Sequence, residues 1–231
     1  MPRLKRDLKK IPPGSLIAIA NSSDPYQPLE KEMQLMRQIL NELLRYELKL
    51  MIITKSSLVL RDLDLISKFN NKVIVISLTT LKPKLAKKLE PQAPAPYTRI
   101  KAIKEITKIA PVICRLDPLI YPINTKDTKN TLDILQQSGV SQITTSSYKI
   151  KPDNYKRMIA AFPEYKKLWQ KIYFSQGEKI NNYIYLEKNL RQELIETLCC
   201  QTREKKLHFS SCREGMTRLN TAACDGSSLF C

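Results

Sequence analysis

The 231-residue chain has only five glycines, one tryptophan and one histidine. None of the glycines opens a Gly-x-Gly-x-x-Gly string behind an apolar run, which excludes the usual glycine-rich nucleotide cradle. No apolar run approaches the ~18 residues of a helical membrane span. The first stretch, MPRLKRDLKK, is basic but has no apolar core, so it is not a secretory signal, and a cytoplasmic protein is expected. Acidic residues are scarce too. Against 39 Lys plus Arg stand 22 Asp plus Glu, for a net charge of +17. That excess favours an anionic partner such as nucleic acid, and it equally fits a lysine-rich solvated surface. The six cysteines include no Cys-x-x-Cys pair, and all but Cys114 fall between Cys199 and Cys231. In a cytosolic chain, such clustering points to metal or redox chemistry rather than structural disulfides.

What is present is globular: 42% hydrophobic and 26% charged residues. Short apolar runs recur at Leu16–Ala20, Leu50–Thr54, Lys72–Ser77, Pro111–Leu116 and Ser141–Tyr148. Between them lie stretches with apolar residues three and four apart, the helical period. One such helix is expected from Leu29 through Met33, Met36, Leu40 and Leu44 towards Leu48. Others are expected over Leu58–Phe69, Pro83–Leu89, Tyr97–Ile109 and Lys126–Ser138. Apolar strands alternating with helices mean an α/β fold with a parallel sheet, either a (β/α) barrel or a doubly wound open sheet. Each strand runs into a small polar group: NSSD, TKSS, SLTT, RLDP and SSYK. In a (β/α) barrel these groups gather on one rim, where ligands bind. The stretch Leu16–Glu32 (LIAIANSSDPYQPLEKE) is the clearest case, although Ser23 or Asp24 there also fits a simple turn cap.

Beyond Ile150 the composition changes. From Tyr148 to Tyr173 there are seven Lys or Arg against Asp153 and Glu164, interleaved with Tyr148, Tyr155, Tyr165, Trp169 and Tyr173. Basic and aromatic residues in alternation supply phosphate contacts and stacking platforms for nucleic acid. They also suit amphipathic helices whose rings pack on the barrel. Glu187–Leu198 reads as a further helix, and the tail after it as loop-rich.

The strings NSSDPYQPLEKE, ITKSSLVLRDLDLI, SLTTLKPKLAKKLEPQAPAPYTRIKAI and RLDPLIYPIN, in that order, resemble the radical S-adenosylmethionine (radical SAM) proteins of the spore-photoproduct-lyase-like group. The tail CREGMTRLNTAACDGSSL resembles the C-terminal extension of some members. The resemblance implies a partial (β/α) TIM-like barrel, with five parallel strands in this chain, plus a helical and loop-rich C-terminal extension. It implies three segments: the barrel portion over 1–150, a basic and aromatic helical extension over 151–200, and a cysteine-containing tail over 201–231. It also implies S-adenosylmethionine and a [4Fe-4S] cluster at the C-terminal rim, and 5′-deoxyadenosyl-radical chemistry on an unspecified substrate. Carried over by position, Ser22 and Ser23 would meet the methionine end of S-adenosylmethionine. Asp24 would orient that loop, and Lys55 would pair with the carboxylate. Ser77 would bind a ribose or carboxylate oxygen, and Arg115 and Asp117 would face the cofactor or substrate. Lys55 also fits a solvated side chain, and Arg115 and Asp117 fit a mutual ion pair.

The chain departs from that group at its defining element. No Cys-x-x-x-Cys-x-x-Cys occurs in these residues, so the cluster ligands are expected on a separately encoded or lost N-terminal segment. The portion present is expected to be inactive alone. The strand beginning at Leu16 would then be an exposed sheet edge. A non-catalytic, basic nucleic-acid-binding subunit is the alternative. Cys212, Cys224 and Cys231 are candidate ligands for an auxiliary iron–sulfur or zinc site, although their spacing matches no standard zinc pattern. His208 is read as an ordinary side chain on a short strand, with a fourth-ligand role as the alternative.

Overall fold

The computed structural model describes residues 1–19 and 22–230. Among them six strands form one parallel sheet: β1 (Leu16–Ile19), β2 (Lys49–Thr54), β3 (Lys72–Ser77), β4 (Val112–Arg115), β5 (Gln142–Thr145) and, after an antiparallel hairpin of β6 (Glu178–Ile180) and β7 (Tyr183–Tyr185), β8 (His208–Ser211). The order is β1-β2-β3-β4-β5-β8, and every pairing in this sheet is parallel. All five expected strands are present. The sixth, β8, lies in the tail that reads as loop-rich in sequence. It pairs with β5 from Gln142↔His208 to Thr145↔Ser211.

The helices are α1 (Pro2–Leu8), α2 (Glu30–Met33), α3 (Leu35–Leu43), α4 (Leu63–Ile66), α5 (Pro83–Leu89), α6 (Pro96–Ile106), α7 (Thr128–Gln137), α8 (Pro152–Ala161), α9 (Lys166–Trp169) and α10 (Lys188–Glu204). Alternation along each strand sorts its side chains between two faces. Leu50, Ile52, Ile74, Ile76, Val112, Cys114, Ile143 and Phe209 join the main core with helical residues such as Leu40, Ile66, Ile103, Leu132 and Leu198. Met51, Val73, Val75 and Ile113 face the other way and meet Leu229 and Phe230 of the C-terminal tail. A doubly wound sheet would carry helices on both faces. Here the tail covers the second face, as suits a partial barrel.

The tail's approach depends on Gly226. Its φ is +74°, and an added Cβ would stand 2.9 Å from Val73 Cγ1 and 3.2 Å from Ile113 Cδ1. Gly226→Ala is therefore expected to cost about 1–3 kcal/mol, read as a lower urea midpoint at unchanged m-value. A variant as stable as the parent would show that the tail does not hold this face.

Two local expectations change. The helix expected from Leu29 to Leu48 is broken at Gln34, which adopts φ +48°. The Glu30 carboxylate accepts hydrogen bonds from the backbone N–H groups of Leu35 (3.0 Å) and Met36 (2.9 Å), satisfying the free donors that open α3. Arg61 fixes Glu30 through its side chain at 2.8 Å and its carbonyl at 2.7 Å. Leu29 and Met33 are consequently exposed rather than core. Likewise, Leu58–Phe69 is not one α-helix but a 3-10 turn over Ser57–Asp62 followed by α4.

Three rings of the basic, aromatic stretch lie in a core, and Tyr155 and Tyr165 are half-buried. Trp169, Tyr173 and Tyr148 are buried with Phe162 and Leu186, and the Trp169 indole N–H donates to the Tyr121 carbonyl at 2.8 Å. Those three rings pack with Ile120, Leu85 and Leu89 of the barrel portion. No described helix is long and apolar enough to cross a membrane.

Candidate functional site

Parallel pairing sets the C-terminal ends of the strands on one edge of the sheet, so the polar groups after them share a rim. At its β1–β2 end lies a cavity of about 660 Å³, walled by Asp24, Tyr26, Pro28, Lys55, Ser57 and Pro94 among others. Asp24 holds two loops together here. Its carboxylate accepts from the Tyr26 N–H (2.9 Å), the Thr54 hydroxyl (2.6 Å) and the Lys55 N–H (2.7 Å). The turn-capping role and the loop-orienting role are thus the same set of bonds.

Lys55 extends to Glu90, Nζ to Oε1 at 2.9 Å. Glu90 also meets the Arg99 guanidinium at 2.7 Å and accepts from the Thr79 hydroxyl at 2.8 Å. Arg99 is 1% exposed and donates further to the carbonyls of Ser77 (2.9 Å) and Pro94 (3.0 Å). Burial pushes the Glu90 carboxyl up, but Lys55 and Arg99 outweigh it and hold the group below its ordinary range. Two cations on one carboxylate leave an excess positive charge beside the cavity.

The other expected site residues fall into two groups. Ser22 and Ser23 are exposed on the loop after β1. Asn21 and Ala20, from the same motif, lie outside the described residues. Ser77 and Arg115 are register partners at the ends of β3 and β4, away from the cavity walls. Arg115 and Asp117 pair with each other at 3.0 Å, and Asp117 also accepts from the Ser146 hydroxyl. Burial works against the Arg115 charge, but Asp117 and then Cys212 more than offset it, so its pKa is raised.

Cys212 follows β8 directly and lies beside both Arg115 and Cys224. Burial and the neighbouring Cys212 raise the Cys224 thiol. Cys231 lies outside the described residues. Among the described residues, no three His, Cys, Asp or Glu side chains gather to hold a metal ion. Among the described residues the donor set therefore offers too few ligands for a [4Fe-4S] cluster. Cys114 is buried within β4, and burial pushes its thiol up to about 12.

Reasoning from sequence missed Glu90 and Arg99, which govern the charge at the cavity. One signal was available: Glu90 is the only acid from Lys82 to Lys101, a stretch with five Lys and one Arg.

No protein-family model matches the chain. An uncharacterized protein of Acidianus two-tailed virus is 31% identical over 137 residues, 56% of this chain and 45% of that protein. An uncharacterized protein of Methanocaldococcus jannaschii is 38% identical over 90 residues, 39% of this chain and 34% of that protein. The chain thus spans less than half the length of these curated relatives. Among solved structures, a spore photoproduct lyase variant superposes with a TM-score of 0.67 at 11% identity, over 91% of this chain and 64% of that one. A second variant, with a dinucleoside spore photoproduct, gives a TM-score of 0.65 at 11% identity, over 87% of this chain and 62% of that one. The radical S-adenosylmethionine methyltransferase TsrM from Kitasatospora setae gives 0.51 at 10% identity, over 84% of this chain and 46% of that one. At such identities the likeness concerns the fold. The chain has the α/β partial barrel of the radical SAM proteins, resembles spore photoproduct lyase in fold, and has no Cys-x-x-x-Cys-x-x-Cys motif within these residues.

Proposed function

We propose that these residues form the S-adenosylmethionine-binding part of a radical SAM protein whose cluster ligands lie on another segment. The observation that carries this reading is the cavity at the β1–β2 end of the rim, with Lys55 at its wall and one cation in excess over Glu90. A carboxylate-bearing ligand suits that charge, and the hydroxyls of Ser56 and Ser57 add donors. Asp24 fixes the loop, Glu90 and Arg99 aim Lys55, and Tyr26 and Pro94 supply apolar wall. The proposed place of the cluster-bearing segment is the free edge of β1. That strand ends the sheet, and all four of its residues are only half-buried. Such an edge invites another strand. The substrate is left open, because a shared fold does not transfer a reaction.

The test is calorimetric titration with S-adenosylmethionine, in the parent chain and in Lys55→Met. Binding is expected, weakened about tenfold in the variant, which corresponds to ~1.4 kcal/mol for one partly exposed ion pair. After reconstitution with iron, sulfide and a reductant, these residues alone are expected to form no 5′-deoxyadenosine. Absence of binding at about 1 mM ligand would sink the cavity assignment. Formation of 5′-deoxyadenosine would sink the placement of the cluster ligands elsewhere.

A further inference from the structure

A second cavity, of about 640 Å³, lies at the other end of the sheet, between the β6–β7 hairpin, α10 and the segment after β8. Its walls carry Lys188 and Arg191 from α10, Arg213 and Arg218 from the tail, and Tyr183 and Tyr185 from β7. Its carboxylates are already engaged. Glu178 takes Arg191 Nη2 at 2.6 Å, and Glu214 is held by Lys149 and Ser147. Arg218 pairs with Glu196 at 2.9 Å. Lys188 and Arg213 are exposed and have no ion-pair partner among the described residues.

The decisive group is Arg191. Its side chain is 6% exposed, yet Nε and Nη1 donate to no acceptor among the described residues. Glu214 Oε2 stands 3.9 Å from Nε, an ionic contact too long for a hydrogen bond. The Tyr185 ring, 5.0 Å away, steadies the guanidinium. Unmade donors on a buried charged group are costly, and folded proteins rarely keep them. We propose that this cavity binds a phosphate group, with Arg191 at its base and Lys188 and Arg213 at its mouth. A free or terminal phosphate brings three acceptor oxygens and nearly two charges, which fits two unmade donors backed by two unpaired cations. A carboxylate brings one charge and two oxygens. The site stands apart from the β1–β2 cavity and does not depend on S-adenosylmethionine binding there.

The test uses the full chain at constant ionic strength, with chloride exchanged for inorganic phosphate, thymidine 5′-phosphate, or a thymidine decamer without a terminal phosphate. Melting temperature and the ¹⁵Nε–¹Hε resonance of Arg191 are followed. The resonance is assigned by its loss in Arg191→Lys. The double variant Lys188→Gln/Arg213→Gln changes only exposed side chains and should fold even if Arg191→Lys does not. The expected result is a saturable rise in melting temperature and a shift of the Arg191 resonance, with affinity at least fivefold weaker in the double variant. Tighter binding of thymidine 5′-phosphate than of the decamer identifies a terminal phosphate as the source. Tighter binding of the decamer, whose phosphodiesters carry one charge and two free oxygens each, would overturn the assignment to a doubly charged phosphate. The inference falls if phosphate acts no differently from chloride, or if the double variant responds like the parent.

Discussion

Glu90→Ala is expected to lower the unfolding free energy by about 3 kcal/mol, near the lower end for breaking a buried ion pair. For a chain of this size that is a fall of roughly 6–12 °C in melting temperature. The reason is Arg99. Its guanidinium is 1% exposed and keeps two carbonyl partners in the variant, but loses the only carboxylate paired with it among the described residues. A buried charge without a counter-charge costs far more than a lost surface pair. Lys55, 41% exposed in its side chain, can turn to solvent and adds little to the loss. Glu90→Gln keeps the shape and the Thr79 contact, so it should fall between the parent and Glu90→Ala. A change below about 1 kcal/mol for Glu90→Ala would mean that the triad is no more than a surface ion pair.

The same carboxylate sets a pH dependence. Its folded pKa is held below the ordinary value of 4.5, so protonation favours the unfolded chain. The contribution is complete above about pH 4.5 and disappears as pH falls through the lower, folded value. Acid unfolding of the parent should therefore be steeper below pH 4.5 than that of Glu90→Gln.

Periodicity revealed the frame because burial acts on it directly. Strands buried on both faces read as runs such as KVIVIS, which became β3 residue for residue. Where long-range polar contacts decide the backbone, the pattern misled. The apolar spacing through Leu29, Met33 and Met36 is helical, yet Glu30 turns back to cap α3, and Arg61, 31 residues away, holds it there. No local pattern contains that contact. The short strand at His208 was legible, and β8 is that strand, but its place as the sixth strand of the sheet was not. In HFSS, Phe209 packs into the core while Ser210 on the opposite face meets Gln142 and Thr144. One apolar residue in four carries too little pattern to name a pairing partner. At the candidate site, Asp24 and Lys55 were legible because both follow strands. Glu90 and Arg99 were not, since they reach the rim from the far side of a proline-rich link and from α6.

The tail's attachment gives the last expected result. Glu214→Ala should cost about 3–5 kcal/mol, the range for removing one partner of a buried pair. The Glu214 side chain is fully buried. It accepts the Ser147 N–H at 2.8 Å and the Ser147 hydroxyl at 3.1 Å, and pairs with Lys149 Nζ at 2.5 Å. These bonds tie the segment after β8 to the segment after β5, its neighbour in the sheet, with Lys149 and Glu214 65 residues apart in sequence. Removing the carboxylate orphans a backbone N–H and leaves Lys149, 11% exposed, without its counter-charge. The double variant Glu214→Ala/Lys149→Ala should lose clearly less than the sum of the two single losses, because the second substitution removes the stranded charge. Hydrogen exchange should then quicken first at Cys212, whose N–H is bonded to the Thr145 carbonyl at the end of β5, and along β8. If the losses simply add, or if exchange quickens uniformly over the sheet, Glu214 is not what anchors the sixth strand. The distinction matters for the second cavity, because Glu214 and Arg191 share a wall: an unanchored β8 would carry the proposed phosphate site away with it.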